Sequence, residues 1–119
     1  MNDAAAARAV IEEYVAACRA RSVPRLKAIF HPDALMSGYL MEQCLVGSPQ
    51  PFYDAVENAP ADAAGGDYQA DITSVDVTGQ IASVTLKEKG FLGLQFTDYF
   101  HLMKVDGRWQ ILSKTFTTE

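Results

Sequence analysis

Thr97-Asp98-Tyr99-Phe100-His101-Leu102-Met103-Lys104-Val105-Asp106-Gly107-Arg108-Trp109-Gln110-Ile111 is the stretch that decides the fold. Asp106-Gly107 is a strong two-residue hairpin signal, because a type I′ turn needs positive φ at both central residues and these types accept it. The strand before it, Leu94 to Val105, places Phe96, Phe100 and Leu102 on one face and Tyr99, Met103 and Val105 on the other. The strand after it, Arg108 to Thr117, places Trp109 and Ile111 on one face and Leu112, Lys114 and Phe116 on the other.

Upstream, Ile81 to Lys87 alternates, with Ala82, Val84 and Leu86 on one face, and Gly90-Phe91-Leu92-Gly93 reads as the loop that follows. Tyr68 to Thr78 is rich in β-branched residues and ends at a Gly79 turn. Ala61 to Asp67 is a loop of small residues with two adjacent glycines. The spacing predicts a helix from Gln50 to about Asn58, stopping before Pro60, and a break at Gly47-Ser48-Pro49. Ala34 to Leu40 reads as a strand. Before it comes a short helix with Ser22 as N-cap, Pro24 in its first turn and Leu26, Ile29 and Phe30 on its apolar face. Pro32 ends that helix, since His31 is disfavoured in the α region. The first helix runs from Asp3 to Ala20, capped by Asn2 or Asp3, with Ala7, Ile11, Tyr14, Val15 and Cys18 on its stripe.

Helices segregated from an antiparallel sheet define an α+β domain, and nothing in the 119 residues marks a second one. The long strands are apolar on both faces while the helices can cover only one. A homodimer through the outer sheet face is the expectation.

The order of elements resembles the NTF2-like superfamily: a cone of three N-terminal helices on a curved, mainly antiparallel sheet. Phe30-His31-Pro32-Asp33-Ala34 looks like its helix-to-strand junction, and the stretch quoted first, with Lys114 and Phe116, is similar to the subfamily called "putative lumazine-binding" proteins. The subfamily's name implies a heterocyclic ligand. The superfamily also holds isomerases, cyclases, dehydratases and assembly domains, so fold alone does not give function.

Ketosteroid isomerase belongs to that superfamily, and its site is an Asp base with an oxyanion hole of Tyr and protonated Asp. By resemblance, Tyr14 falls where the oxyanion Tyr sits and Asp98 where the protonated Asp sits. The base would lie in Leu35-Met36-Ser37-Gly38-Tyr39-Leu40, which has no carboxylate; Gly38 takes its place. His31, Tyr39 and Glu42 are the nearby substitutes. Without a base, proton abstraction loses its chemical step, and the reading leans away from an enzyme.

The expected ligand pocket lies between helices and sheet and is lined by Tyr14, Phe30, His31, Met36, Asp98 and Trp109. Each has a plainer reading. Tyr14 on an apolar stripe is first a core Tyr with a satisfied hydroxyl. Asp98 among aromatic residues must face a polar cavity or be satisfied by a neighbour such as Tyr14. His31 reads first as a helix-end cap or a partner of Asp33. Met36, Met41 and Met103 could line a pocket or fill core. Lys114, on the parity of Leu112 and Phe116, is expected on the outer face, discouraging aggregation or joining a dimer contact rather than forming a Schiff base.

Net charge is −5 with ten basic residues, which argues against nucleic acid and against anionic membrane surfaces. No apolar run reaches transmembrane length, and the N-terminus lacks a signal-peptide pattern. Cys18 and Cys44 lack metal or disulfide-framework spacing, and two histidines supply no metal cluster, so a reduced cytoplasmic setting without metal or cofactor is expected. Three readings follow: a domain that binds a small apolar or heterocyclic molecule, an isomerase-, cyclase- or dehydratase-like enzyme acting on a small carbonyl compound, and a non-catalytic dimeric interaction protein.

Overall fold

The computed structural model describes residues 2–59 and 67–119. The 61–67 loop expected from sequence therefore lies outside the described residues except for Asp67.

Helix α1 (Asp3–Ala20) begins where the Asn2 side chain accepts the Ala5 N–H at 2.7 Å and ends where Arg21 turns left-handed at φ 52. Its buried stripe is Ala7, Ile11, Tyr14, Ala17 and Cys18. Helix α2 (Val23–Ile29) starts at Ser22, whose hydroxyl accepts the Arg25 N–H. Arg25 reaches back to Glu13 with two bonds of 2.9 and 2.7 Å, fixing α2 against α1.

Strand β1 (Phe30–Leu40) begins four residues before the expected start. Phe30 does not sit in the helix: it is already extended, and its N–H caps α2 by donating to Leu26. Helix α2 thus stops at Ile29, ahead of the one residue that Pro32 restricts, and Pro32 lies inside the strand where the β1–β6 pairing shifts register between Phe30 and Leu35. A five-residue strand, β2 (Gln43–Gly47), precedes helix α3 (Gln50–Asn58); it was not read from the sequence. The tight Met41-Glu42 turn creates it, pairing Leu40 with Gln43.

Strands β3 (Gln69–Thr78), β4 (Ile81–Phe91), β5 (Leu94–Val105) and β6 (Arg108–Thr118) form the rest of a six-stranded sheet of order β2-β1-β6-β5-β4-β3. Among the described residues, β1–β6 is the one parallel pair. The loop expected at 90–93 shrinks to a Leu92-Gly93 turn, because Phe91 stays in the strand with its ring buried between Tyr68 and Phe96. Asp106 and Gly107 both have positive φ, as a type I′ hairpin requires.

The concave face carries the core. Ala82, Val84 and Leu86 of β4, and Phe100 and Leu102 of β5, meet Ile11, Tyr14 and Leu26 from the helices. On the convex face Leu35, Tyr39, Ile81, Tyr99 and Met103 are exposed. No helix among the described residues is long and apolar enough to cross a membrane.

Candidate functional site

One irregularity places the chemistry. His101 pairs with Ser113, but the next residue, Leu102, pairs with Ile111. Leu112 is therefore an extra residue, a β-bulge, and the alternation of β6 reverses across it. Trp109 and Ile111 face the concave side, and so do Lys114 and Phe116. This corrects the expected outer position of Lys114: its side chain is 5% exposed, inside the cone.

Lys114 Nζ donates to the Tyr14 hydroxyl at 2.6 Å. It lies 4.5 Å from the centroid of Phe52 and 5.1 Å from those of Tyr14 and Phe116. Such a three-ring enclosure replaces water around the nitrogen with π-faces. Asp98, fully buried, comes within 4.0 Å of the same nitrogen. Neither Asp98 oxygen has a hydrogen-bond partner among the described residues. Burial pushes the Asp98 carboxyl well above the usual carboxylate range; Lys114 pulls it down and Glu88 pushes it further up. Tyr14 is likewise held well above an ordinary phenol, chiefly by desolvation.

Glu88 completes the cluster. It continues the inward parity of Ala82, Val84 and Leu86, is 3% exposed, and accepts the Tyr68 hydroxyl. Burial, and next the Glu88 charge, push the Tyr68 phenol up. Arg19 lies over the Tyr68 ring at 4.7 Å and shields that side.

Above this cluster opens a cavity of about 290 Å³. Tyr14, Glu88 and Lys114 are polar features on its wall; Met36, Phe52, Val56, Phe96 and Phe116 are among the apolar ones. The size lies near the lower end of ligand pockets, roughly 300–1,000 Å³.

The six residues expected to line one pocket are divided. Tyr14 and Met36 line this cavity, and Asp98 lies against Lys114 without lining it. Phe30 and His31 line a separate hollow with Lys27, Ser48 and Tyr53. There His31 Nδ1 accepts the Asp33 N–H at 3.0 Å, and burial pushes the Tyr53 phenol up to about 12. Trp109 sits at the hairpin end, where its indole N–H donates to Asp3 at 3.1 Å. Of the substitutes for a base, Tyr39 points outward and Glu42 is exposed on a turn. Met41 and Met103 are exposed as well.

Gly38 has no room for a side chain. A Cβ there would lie 2.1 Å from the Phe116 carbonyl oxygen and 2.8 Å from its ring. The base position of the isomerase comparison is thus closed by Phe116.

The family described as "Putative lumazine-binding" matches residues 2–117. The chain belongs to that family. Its fold is the NTF2-like one. A crystal structure from Silicibacter pomeroyi, an NTF2-like protein of unknown function, superposes with a TM-score of 0.86 at 32% identity, over 97% of this chain and 94% of that one. Another NTF2-like protein of unknown function, from Methylobacillus flagellatus, gives 0.87 at 28%, over 98% and 92%. A curated protein from Cladobotryum sp, described as Aldolase FrzH, is 33% identical over 104 residues, 87% of this family member and 81% of the relative.

Sequence reading missed Glu88 and misplaced Lys114, for different reasons. Glu88 was accessible: the alternation of 82, 84 and 86 extends to it by counting. Lys114 was not, because no local signal in Ile111-Leu112-Ser113 announces a bulge. Among the described residues, no three His, Cys, Asp or Glu side chains gather as a metal site would require.

Proposed function

We propose that the protein binds a small, largely apolar molecule carrying a carbonyl or ring oxygen, with that oxygen directed at Lys114 Nζ and the Tyr14 hydroxyl. The observation that carries this reading is a buried amine–phenol pair on the wall of an otherwise mostly apolar cavity. A few polar groups on an apolar wall fix orientation, while the wall supplies most of the affinity. A heterocycle such as lumazine, which the family's description names, has oxygens of the required kind.

Saturation-transfer NMR with cyclohexanone and lumazine tests this. Binding of at least one is expected, lost in Ala55→Trp, which fills the cavity wall, and weakened about tenfold in Lys114→Met, the equivalent of one charge-assisted hydrogen bond. No binding of either compound, or binding indifferent to Ala55→Trp, overturns the proposal.

A second reading, an enzyme acting on a small carbonyl compound, is favoured by Glu88. A carboxylate on the same wall as a hydrogen-bond donor pair is the arrangement for removing a proton next to a carbonyl. The likeness to a protein described as an aldolase supports this. Deuterium uptake at the α-carbons of cyclohexanone, abolished in Glu88→Gln, is the expected result; uptake equal to that in buffer alone would exclude it.

Association is part of the proposal: a second copy covers the convex face at Ile81 and Met103, which are cross-strand partners, and at Tyr99 on the same face of β5. Light scattering should give a dimer that Tyr99→Glu converts to monomer. A monomeric wild type at micromolar concentration would exclude it.

A further inference from the structure

We infer that Lys114 forms a covalent imine with a small apolar ketone or aldehyde in the cavity. The inference rests on the binding reading above and adds a bond to it.

The geometry points this way in three respects. Lys114 is the lysine that lines the cavity, with its nitrogen under Phe52, Tyr14 and Phe116. Lys27, Lys87 and Lys89 lie exposed. An amine held on the wall of an apolar cavity is placed to meet a bound carbonyl carbon at close range. Second, the Tyr14 hydroxyl fixes Nζ at 2.6 Å, so the nitrogen has one position from which to attack. Third, Glu88 lines the same cavity and supplies the carboxylate needed to move protons.

The balance closes without a further reactant. Of the three protons of the Lys114 ammonium, one passes through a water molecule in the cavity to Glu88 and frees the electron pair. The nitrogen attacks the carbonyl carbon; the C–N bond forms and the C–O π pair moves onto oxygen. The oxygen then leaves as water with two protons, the one held by Glu88 and a second from nitrogen. The iminium keeps the third proton and the positive charge, so net charge is unchanged. Tyr14 stays a positioning residue for the nitrogen.

Wild-type protein is incubated with cyclohexanone and cyanoborohydride, which reduces an iminium to a stable secondary amine, and the modified lysines are located by peptide mass spectrometry. Positioning in a pocket gains several orders of magnitude in rate, so labelling of Lys114 at least ~100-fold faster than of Lys27, Lys87 or Lys89 is expected. Ala55→Trp should bring Lys114 down to the rate of the exposed lysines or below, and Glu88→Gln should slow it while a carboxamide still accepts the Tyr68 hydroxyl. If saturation transfer shows cyclohexanone bound and Lys114 remains unlabelled, the covalent step is wrong and the binding reading stands. If neither cyclohexanone nor lumazine binds and no labelling occurs, both fall. Labelling of Lys114 that Ala55→Trp does not change also overturns the inference.

Discussion

Two lysines on the concave face of one hairpin meet opposite treatment. Lys104, beside the Asp106-Gly107 turn, extends to Asp3 at 3.1 Å, and Trp109 donates to the same carboxylate. These donors hold Asp3 below the usual carboxylate range, with the indole contributing most. The carboxylate stands in the first turn of α1, where a negative charge suits the helix dipole. Everything charged there keeps contact with water. Lys114, ten residues on, is enclosed by rings, with a carboxyl at 4.0 Å that has no hydrogen bond. The hairpin end is finished by its own residues; the far end buries polar groups that the chain only partly satisfies. A fold that satisfies charge at one end and leaves it short at the other has put its stability and its candidate site in different places.

The largest effect should come from shifting the two ends against each other. An alanine inserted between Ser113 and Lys114 adds one residue beyond the Leu112 bulge, so either Trp109 and Ile111 or Lys114 and Phe116 must leave the concave face. Circular dichroism should show loss of the cooperative thermal transition. A normal melt would mean that the sheet finds another bulge, and the two ends would then be less distinct than they look.

Trp109→Ala comes next. It removes a buried ring from the finished end and should lower the unfolding free energy by about 3–5 kcal/mol in urea titration. Labelling of Lys114 should be unaffected while the protein is folded. Loss of labelling at full folding would show the ends to be coupled.

Asp98→Asn sharpens the contrast through pH. The folded-state pKa of Asp98 is raised from its ordinary 3.8. The native protein therefore keeps a proton that the unfolded chain releases. The stability this gives is complete below the ordinary value and is lost as pH rises through the raised one. An amide cannot ionise, so the variant should be more stable than wild type by about 1 kcal/mol or more near pH 8, with the difference closing toward about pH 4. Parallel denaturation curves at all pH values would place Asp98 ionised in the native state. The smallest effect belongs to Lys104→Met, whose half-exposed ion pair is weak. Its melt should coincide with wild type; a drop as large as that of Trp109→Ala would mean charge, not the ring, closes the hairpin end.

Most of the fold was legible because it depends on local rules. Asn2 and Ser22 cap helices, Asp106-Gly107 forces a hairpin, and the β4 alternation points Ala82, Val84 and Leu86 inward. The site was less legible because its residues meet through tertiary pairing. Tyr14 and Asp98 were found by resemblance, yet their link runs through Lys114, whose direction depends on a one-residue offset between β5 and β6. Strand β2 escaped for a related reason: Gln43–Gly47 alternates no clear apolar face, and its partner β1 defines it. Phe30, His31 and Trp109 were expected to line one cavity between helices and sheet. The chain spends Phe30 on closing α2 and Trp109 on anchoring α1, and neither position can be read from residue type.

The contact between Gly38 and Phe116 also constrains how this chain could change. An acidic side chain at position 38 collides with backbone and ring together. Trimming the ring at position 116 would still leave the carbonyl oxygen in the way, so β1 must also move away from β6. An acid at 38 is thus a late step in any mutational history, disfavoured until at least two others precede it. Chemistry that began instead at Glu88 and Lys114 needs no such sequence, since both side chains already face the cavity.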